Sequence, residues 1–143
     1  MPSVTALGEL LIDFTESGLS GQGNPLLEAL YCSANGLKAL NVRKNPALEN
    51  LECADNALTA LDVRKNPLLQ TLNCEGNGIA KLDVTRNAKL TELRCGENSI
   101  KKLNVSKCPA LKALYCQDNV ITRLALNANG TLELLECHDN KLK

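Results

Sequence analysis

A chain of 143 residues with no formal net charge suits a single domain and gives no gross electrostatic reason to expect nucleic acid or an anionic membrane as partner. Apolar residues make up 44% but aromatics only 2%, so small aliphatic side chains must fill the interior. No stretch approaches the roughly 20 apolar residues of a membrane-spanning helix. Residues 1–20 lack the basic start and apolar run of a signal peptide, so the chain as written reads as cytoplasmic.

Residues 1–25 differ in pattern from the rest of the chain. They run Val4-Thr5-Ala6-Leu7-Gly8-Glu9-Leu10-Leu11-Ile12-Asp13-Phe14-Thr15, then Gly18 to Pro25. Leu7, Leu10 and Ile12 repeat, one residue out of phase, the pattern of Leu27, Leu30 and Cys32, and Asn24-Pro25 falls in register with Asn45-Pro46. This segment is therefore expected to be an N-terminal cap coil. From Val4 to Glu28 it also resembles the opening strand of PfkB-family bacterial fructokinases, and the resemblance implies a place for Asp13 in a sugar site. No glycine-rich anion hole with a catalytic base follows, and there is no room for a nucleotide site. No sugar-kinase activity is expected, and the chain is not expected to be an enzyme.

From residue 26 onward the chain repeats. Leu27, Leu48, Leu69, Leu90, Leu111 and Leu132 are spaced by 21. Three residues after each comes Leu30, Leu51, Leu72, Leu93, Leu114 or Leu135, and two further on Cys32, Cys53, Cys74, Cys95, Cys116 or Cys137. Then come Asn35, Asn56, Asn77, Asn98, Asn119 and Asn140, each followed two residues later by leucine or isoleucine. The second half of each unit reads Leu-Asp-Val or close to it, then Asn-Pro or a variant. A segment such as Leu51-Glu52-Cys53 has the two-residue period of a short strand. One such strand cannot bury its apolar side alone, but identical coils stacked on one another can, as a continuous parallel sheet. Each asparagine ladder falls where the chain turns. There an amide can satisfy stranded backbone groups in its own coil and the next. A second set, Asn24, Asn45, Asn66, Asn87 and Asn129, serves the opposite turn, with Cys108 in the asparagine position.

Residues 24–143 resemble the leucine-rich-repeat family, in particular its 21-residue bacterial, IRREKO-like class, with six units of which the last is truncated. Similar arrays are frequent on bacterial surfaces. The resemblance implies a right-handed solenoid with one parallel concave sheet, short strands or extended turns on the convex side, and little or no helix.

The cysteines take inward positions that leucine fills in other repeats, and none forms a C-x-x-C pair. Parallel stacked side chains about 4.8 Å apart do not converge as a disulfide requires, so a ladder of reduced, buried thiols is expected, with no metal and no cofactor. His138 is the sole histidine, on the opposite side of its strand from Cys137. Asp118 and Asp139 share a repeat position, with no aligned set to complete a metal site.

The outward strand-face positions place Tyr31, Glu52, Asp55, Glu75, Glu92, Arg94, Glu97, Tyr115, Asp118, Glu136, His138 and Asp139 on the concave side, where eight acids face a single arginine or lysine, Arg94. A basic stripe at Arg43-Lys44, Arg64-Lys65, Arg86 and Lys107 lies elsewhere and lacks aromatics, so neither nucleic acid nor membrane is expected there. The expected function is non-catalytic protein or peptide binding on the concave face, with a basic partner. The alternative is a structural scaffold, array fragment or engineered chimera with no ligand of its own. Self-association, as a dimer through the uncapped C-terminal coil, is a further expectation.

Overall fold

The computed structural model describes residues 24–126 and 130–143, together with the backbone of three short strands nearer the N-terminus. Those are β1 (Thr5–Leu7), β2 (Asp13–Thr15) and β3 (Gly18–Ser20). The repeats contribute β4 (Ala29–Tyr31), β5 (Asn50–Glu52), β6 (Thr71–Asn73), β7 (Glu92–Arg94), β9 (Ala113–Tyr115) and β11 (Leu134–Glu136) on one side. On the other side lie β8 (Lys102–Asn104) and β10 (Arg123–Ala125). Among the described residues there is no helix. A 21-residue coil is consumed by two short extended sides and two turns.

The main sheet has seven strands in the order β1-β4-β5-β6-β7-β9-β11, and β4 to β11 pair in parallel, one strand per coil. Every register step is 21 residues, as in Leu30↔Leu51↔Leu72↔Leu93↔Leu114↔Leu135. The middle residue of each strand faces in, and Leu30, Leu51, Leu72, Leu93 and Leu114 have no exposed surface. β8 and β10 pair in parallel on the convex side, where the chain follows the Leu-Asp-Val segments. Leu61, Leu82 and Leu103 with Val63, Val84 and Val105 close the core from that side. In the last coil Leu134, Leu135 and Leu142 are about two-fifths exposed.

The described strands before residue 24 pair differently from those of the repeats. β1 pairs antiparallel with β4, Ala6 opposite Leu30, and β2 and β3 form an antiparallel hairpin. The alternation of Leu7, Leu10 and Ile12 suits either strand direction, so it could not distinguish a parallel coil from an antiparallel edge. Leu10 and Ile12 lie outside the described residues, as does the side chain of Asp13, on which the fructokinase resemblance turned. Asn129 of the second asparagine set lies outside them too.

Both asparagine ladders are built from side-chain amides. Asn77 Nδ2 donates to the carbonyls of Cys53, Cys74 and Glu75, each at 3.1 Å. Its Oδ1 accepts from Leu58 N–H at 3.0 Å. Asn56, Asn98, Asn119 and Asn140 repeat this set. The coil served besides its own is thus the preceding one, not the next. In the second ladder Asn66 Nδ2 donates to Val42 and Asn45 carbonyls, and Asn87 Nδ2 to Val63 and Asn66 carbonyls. At Cys108 the thiol replaces the amide and reaches Val84 O at 3.5 Å.

Candidate functional site: the concave sheet face

Because Leu30 and its equivalents face in, the flanking strand residues face out. Register places them in columns: Ala29, Asn50, Thr71, Glu92, Ala113 and Leu134 in one, and Tyr31, Glu52, Asn73, Arg94, Tyr115 and Glu136 in the next. Of the sequence-derived candidates, Tyr31, Glu52, Glu92, Arg94, Tyr115 and Glu136 therefore stand on the sheet itself. Glu75 and His138 lie two residues past their strands' last residues, Asn73 and Glu136, continuing the alternation.

Asp55, Glu97, Asp118 and Asp139 do not belong to the sheet face. They lie in the turn just before each ladder asparagine, with φ of 53°, 50°, 51° and 51°. The equivalent positions carry Ala34 at 56° and Gly76 at 63°. A left-handed backbone takes these carboxylates off the strand and onto a rim of the sheet. The two-residue alternation, extrapolated past the strand end, missed this change of hand.

The centre of the face is held by charge and stacking. Arg94 Nε donates to Glu92 Oε1 at 2.6 Å, and its guanidinium carbon lies 4.2 Å from the centre of the Tyr115 ring. The Glu92 carboxylate raises the arginine pKa further. The one cation expected on the face is thus paired with an acid of the same strand and with an aromatic ring. Gln117, which the charge pattern does not single out, donates through Nε2 to Glu75 Oε1 at 2.6 Å across two coils. Gly96 stands between them in the same column, and a Cβ there would run into the Gln117 amide. Asn73 and Gln117 also belong to this face. Their positions in the columns could have revealed them, but uncharged amides carried no signal beside the acids.

At one end, His138 Nδ1 lies 2.8 Å from Asp139 Oδ2. The hydrogen bond to Asp139 raises the histidine pKa. Asp118, His138 and Asp139 bring one ligand atom each within 4.8 Å of the others. His138 therefore completes the aspartate pair that repeat position alone leaves without a third member. All three are exposed, and the imidazole is already engaged by Asp139.

The cysteine ladder is internal to this face. All seven cysteines are reduced thiols, six buried and Cys137 partly so. Burial pushes the Cys32, Cys74 and Cys116 thiols up to about 12 and Cys108 to about 11, and raises Cys53 and Cys95 well above the ordinary value. A thiol acts as a nucleophile or metal ligand through its thiolate, which is disfavoured at all six positions. The exposed rim and strand acids leave a face whose fixed charges are mainly negative.

No family model matches the chain, and no curated protein does. Solved structures do. The functional domain of InlJ from Listeria monocytogenes, described as including a cysteine ladder, is 38% identical over 81% of this chain and 31% of that one, with a TM-score of 0.62. An internalin of Listeria monocytogenes, InlF, is 18% identical over 71% of this chain and 38% of its own, with a TM-score of 0.60. A leucine-rich-repeat protein of Leptospira interrogans is 19% identical over 82% of this chain and 44% of its own, with a TM-score of 0.62. The two lower identities speak to fold alone. The chain spans about a third of the length of the InlJ domain.

Proposed function

We propose that this leucine-rich-repeat solenoid, with its cysteine ladder, is a non-catalytic protein-binding module whose concave sheet face receives a basic, extended segment of a partner. The supporting observation is the charge on the columns. Glu52 and Glu136 stand on the outer face and Asp55, Glu97, Asp118 and Asp139 on its rim, while Arg94 is occupied by Glu92. Tyr31, about two-fifths exposed, offers apolar contact beside Glu52. The raised thiol pKa values support the non-catalytic part of the reading. The bacterial leucine-rich-repeat neighbours support a recognition surface by fold analogy.

The face is small. Six strands about 4.8 Å apart and roughly five residues long, at about 3.3 Å each, offer about 400 Å². One partner of a standard interface contributes about 800 Å². Affinity from this face alone is expected to be micromolar or weaker. Titrating a ten-residue Lys/Arg-rich peptide into labelled protein should shift amide resonances of β5, β7, β9 and β11, and Glu52→Lys with Glu136→Lys should abolish the shifts. Shifts confined to the convex side, or unchanged by that charge reversal, would sink the proposal.

A further inference from the structure

We infer that the opposite edge of the solenoid is a docking stripe for a linear sulfated polysaccharide. Between each buried convex valine and the next buried ladder residue, two residues form the tip of a turn, exposed except for the half-buried Thr85: Arg43-Lys44, Arg64-Lys65, Thr85-Arg86 and Ser106-Lys107. The 21-residue period stacks them, so Lys44, Lys65, Arg86 and Lys107 form one column over roughly 14 Å at about 4.8 Å per coil. Arg43 and Arg64 form a second column beside it. A shallow cavity of about 490 Å³ lies here, lined by Arg43, Asp62, Arg64, Lys65 and Arg86.

The acids near the stripe are already used. The turn tips are capped from below by Asn41, Asp62, Asp83 and Asn104, each accepting the N–H two residues on. Asp62 is bound by Arg64 through Nε at 2.9 Å and Nη2 at 3.1 Å, with Arg43 Nε 3.7 Å away. Asp83 accepts the Thr85 hydroxyl at 2.7 Å. Lys44, Lys65, Arg86 and Lys107 form no salt bridge among the described residues. The result is a row of free cations at one per coil, with guanidiniums oriented by Asp62.

The period and the composition select the ligand. A row of regularly spaced cations fits a polymer that carries an anion on each successive unit. Phosphates of one strand of duplex DNA wind around the helix axis, rising about 3.4 Å along it per nucleotide, and leave a straight line within a few residues, whereas the cations run straight from coil to coil. Single strands are held by stacking bases on aromatic rings, and both tyrosines stand on the opposite face. Insertion into a bilayer surface needs apolar side chains beside the cations, and the turn tips carry none. A linear sulfated polysaccharide has no bases to stack and no acyl chains to bury, and asks only for a straight row of exposed cations.

Calorimetric titration with a heparin-derived decasaccharide at about 50 mM salt tests this directly. Micromolar binding is expected, with log K falling against log salt at a slope of about −3, by analogy with counterion release from nucleic acids. Lys65→Gln with Arg86→Gln and Lys107→Gln should weaken it at least tenfold. An equal loss of charge elsewhere, Lys101→Gln with Lys112→Gln and Lys141→Gln, should change it less than twofold. Lys65→Arg should retain binding, and the desulfated sugar should not bind. The idea is overturned by failure of the native protein to bind, or by equal loss in the two triple variants. It is equally overturned by tighter binding of a single- or double-stranded DNA twelve-mer, or of anionic lipid vesicles. The stripe and the concave face share no residue, so either can fail alone.

Discussion

Asn77 and Asn66 occupy equivalent-looking ladders but hold different numbers of backbone groups. Asn77 serves three carbonyls and is the acceptor for Leu58 N–H. Removing it strands the buried Leu58 N–H, while the three carbonyls keep other donors in Asn56 Nδ2, Asn98 Nδ2 and Asp55 N–H. Asn66 serves two carbonyls that other donors also reach: Val42 O accepts from Asn45 N–H, and Asn45 O from Leu48 N–H. Asn77→Ala should therefore cost about 1–3 kcal/mol, and Asn66→Ala should fall at the lower end of that range. Lys81→Ala, at an exposed site, should change stability by less than about 0.5 kcal/mol. Urea melts of the three variants check the order; equal costs for Asn66 and Asn77 would refute the bonding difference. The same logic runs in reverse at Cys108. A thiol there gives Val84 O one weak bond, where an amide would also reach the Asn87 carbonyl, as Asn87 reaches Asn66. Cys108→Asn should nonetheless leave stability within about 1 kcal/mol of the native protein, because the added hydrogen bond is offset by burying another Oδ1 that, like those of Asn45, Asn66 and Asn87, has no partner.

At the scale of elements, the strands and their register were legible because one leucine in every coil must face in, and a 21-residue step leaves no other alignment. The inward thiols and outward tyrosines followed from the same alternation. Two things were not legible. Strand direction at the N-terminus was hidden, since β1 alternates equally well antiparallel to β4. The rim was also hidden, because nothing in Cys-Gly-Glu-Asn or Cys-Gln-Asp-Asn announces a left-handed residue when its counterpart in other coils is Ala34 or Gly76. Glu97 tests that turn. Left-handed backbone costs a residue with a Cβ about 1–2 kcal/mol, against a smaller entropic gain of under about 1 kcal/mol from having fewer unfolded conformations than glycine. The Glu97 N–H and carbonyl bonds, to Gln117 O and from Asn77 N–H, do not involve its side chain. Glu97→Gly should raise stability by up to about 1 kcal/mol in urea melts while removing one rim charge. A loss of stability would contradict the turn geometry.

Along the whole molecule, the buried thiols act together because each lies in the same stack. Folded, Cys32, Cys74 and Cys116 ionise only near pH 12 and Cys108 near 11, against an ordinary value near 9. The cause is loss of water around a thiolate, and Cys53 and Cys95, flanked by other cysteines, are raised further by their neighbours' charge. For a group whose folded pKa is raised, the stabilisation is complete below the unfolded value. It is lost as pH rises from that value toward the folded one. Each thiol that releases its proton only on unfolding weakens the fold by about 1.4 kcal/mol per pH unit. A single such group would be minor, but several losing stability in parallel rival the roughly 5–15 kcal/mol that holds a domain folded. The solenoid should therefore be insensitive to pH between about 7 and 8.5 and unfold cooperatively near pH ~10. The thiols should resist a cysteine reagent until that transition, with Cys137, the partly exposed one, reacting first. Replacing Cys53, Cys74 and Cys95 with alanine should lower stability at neutral pH by removing buried volume. It should also flatten the alkaline slope by about three protons, which lysine titration, common to both proteins, cannot do. An unchanged slope in that variant would show that the ladder does not carry the alkaline transition.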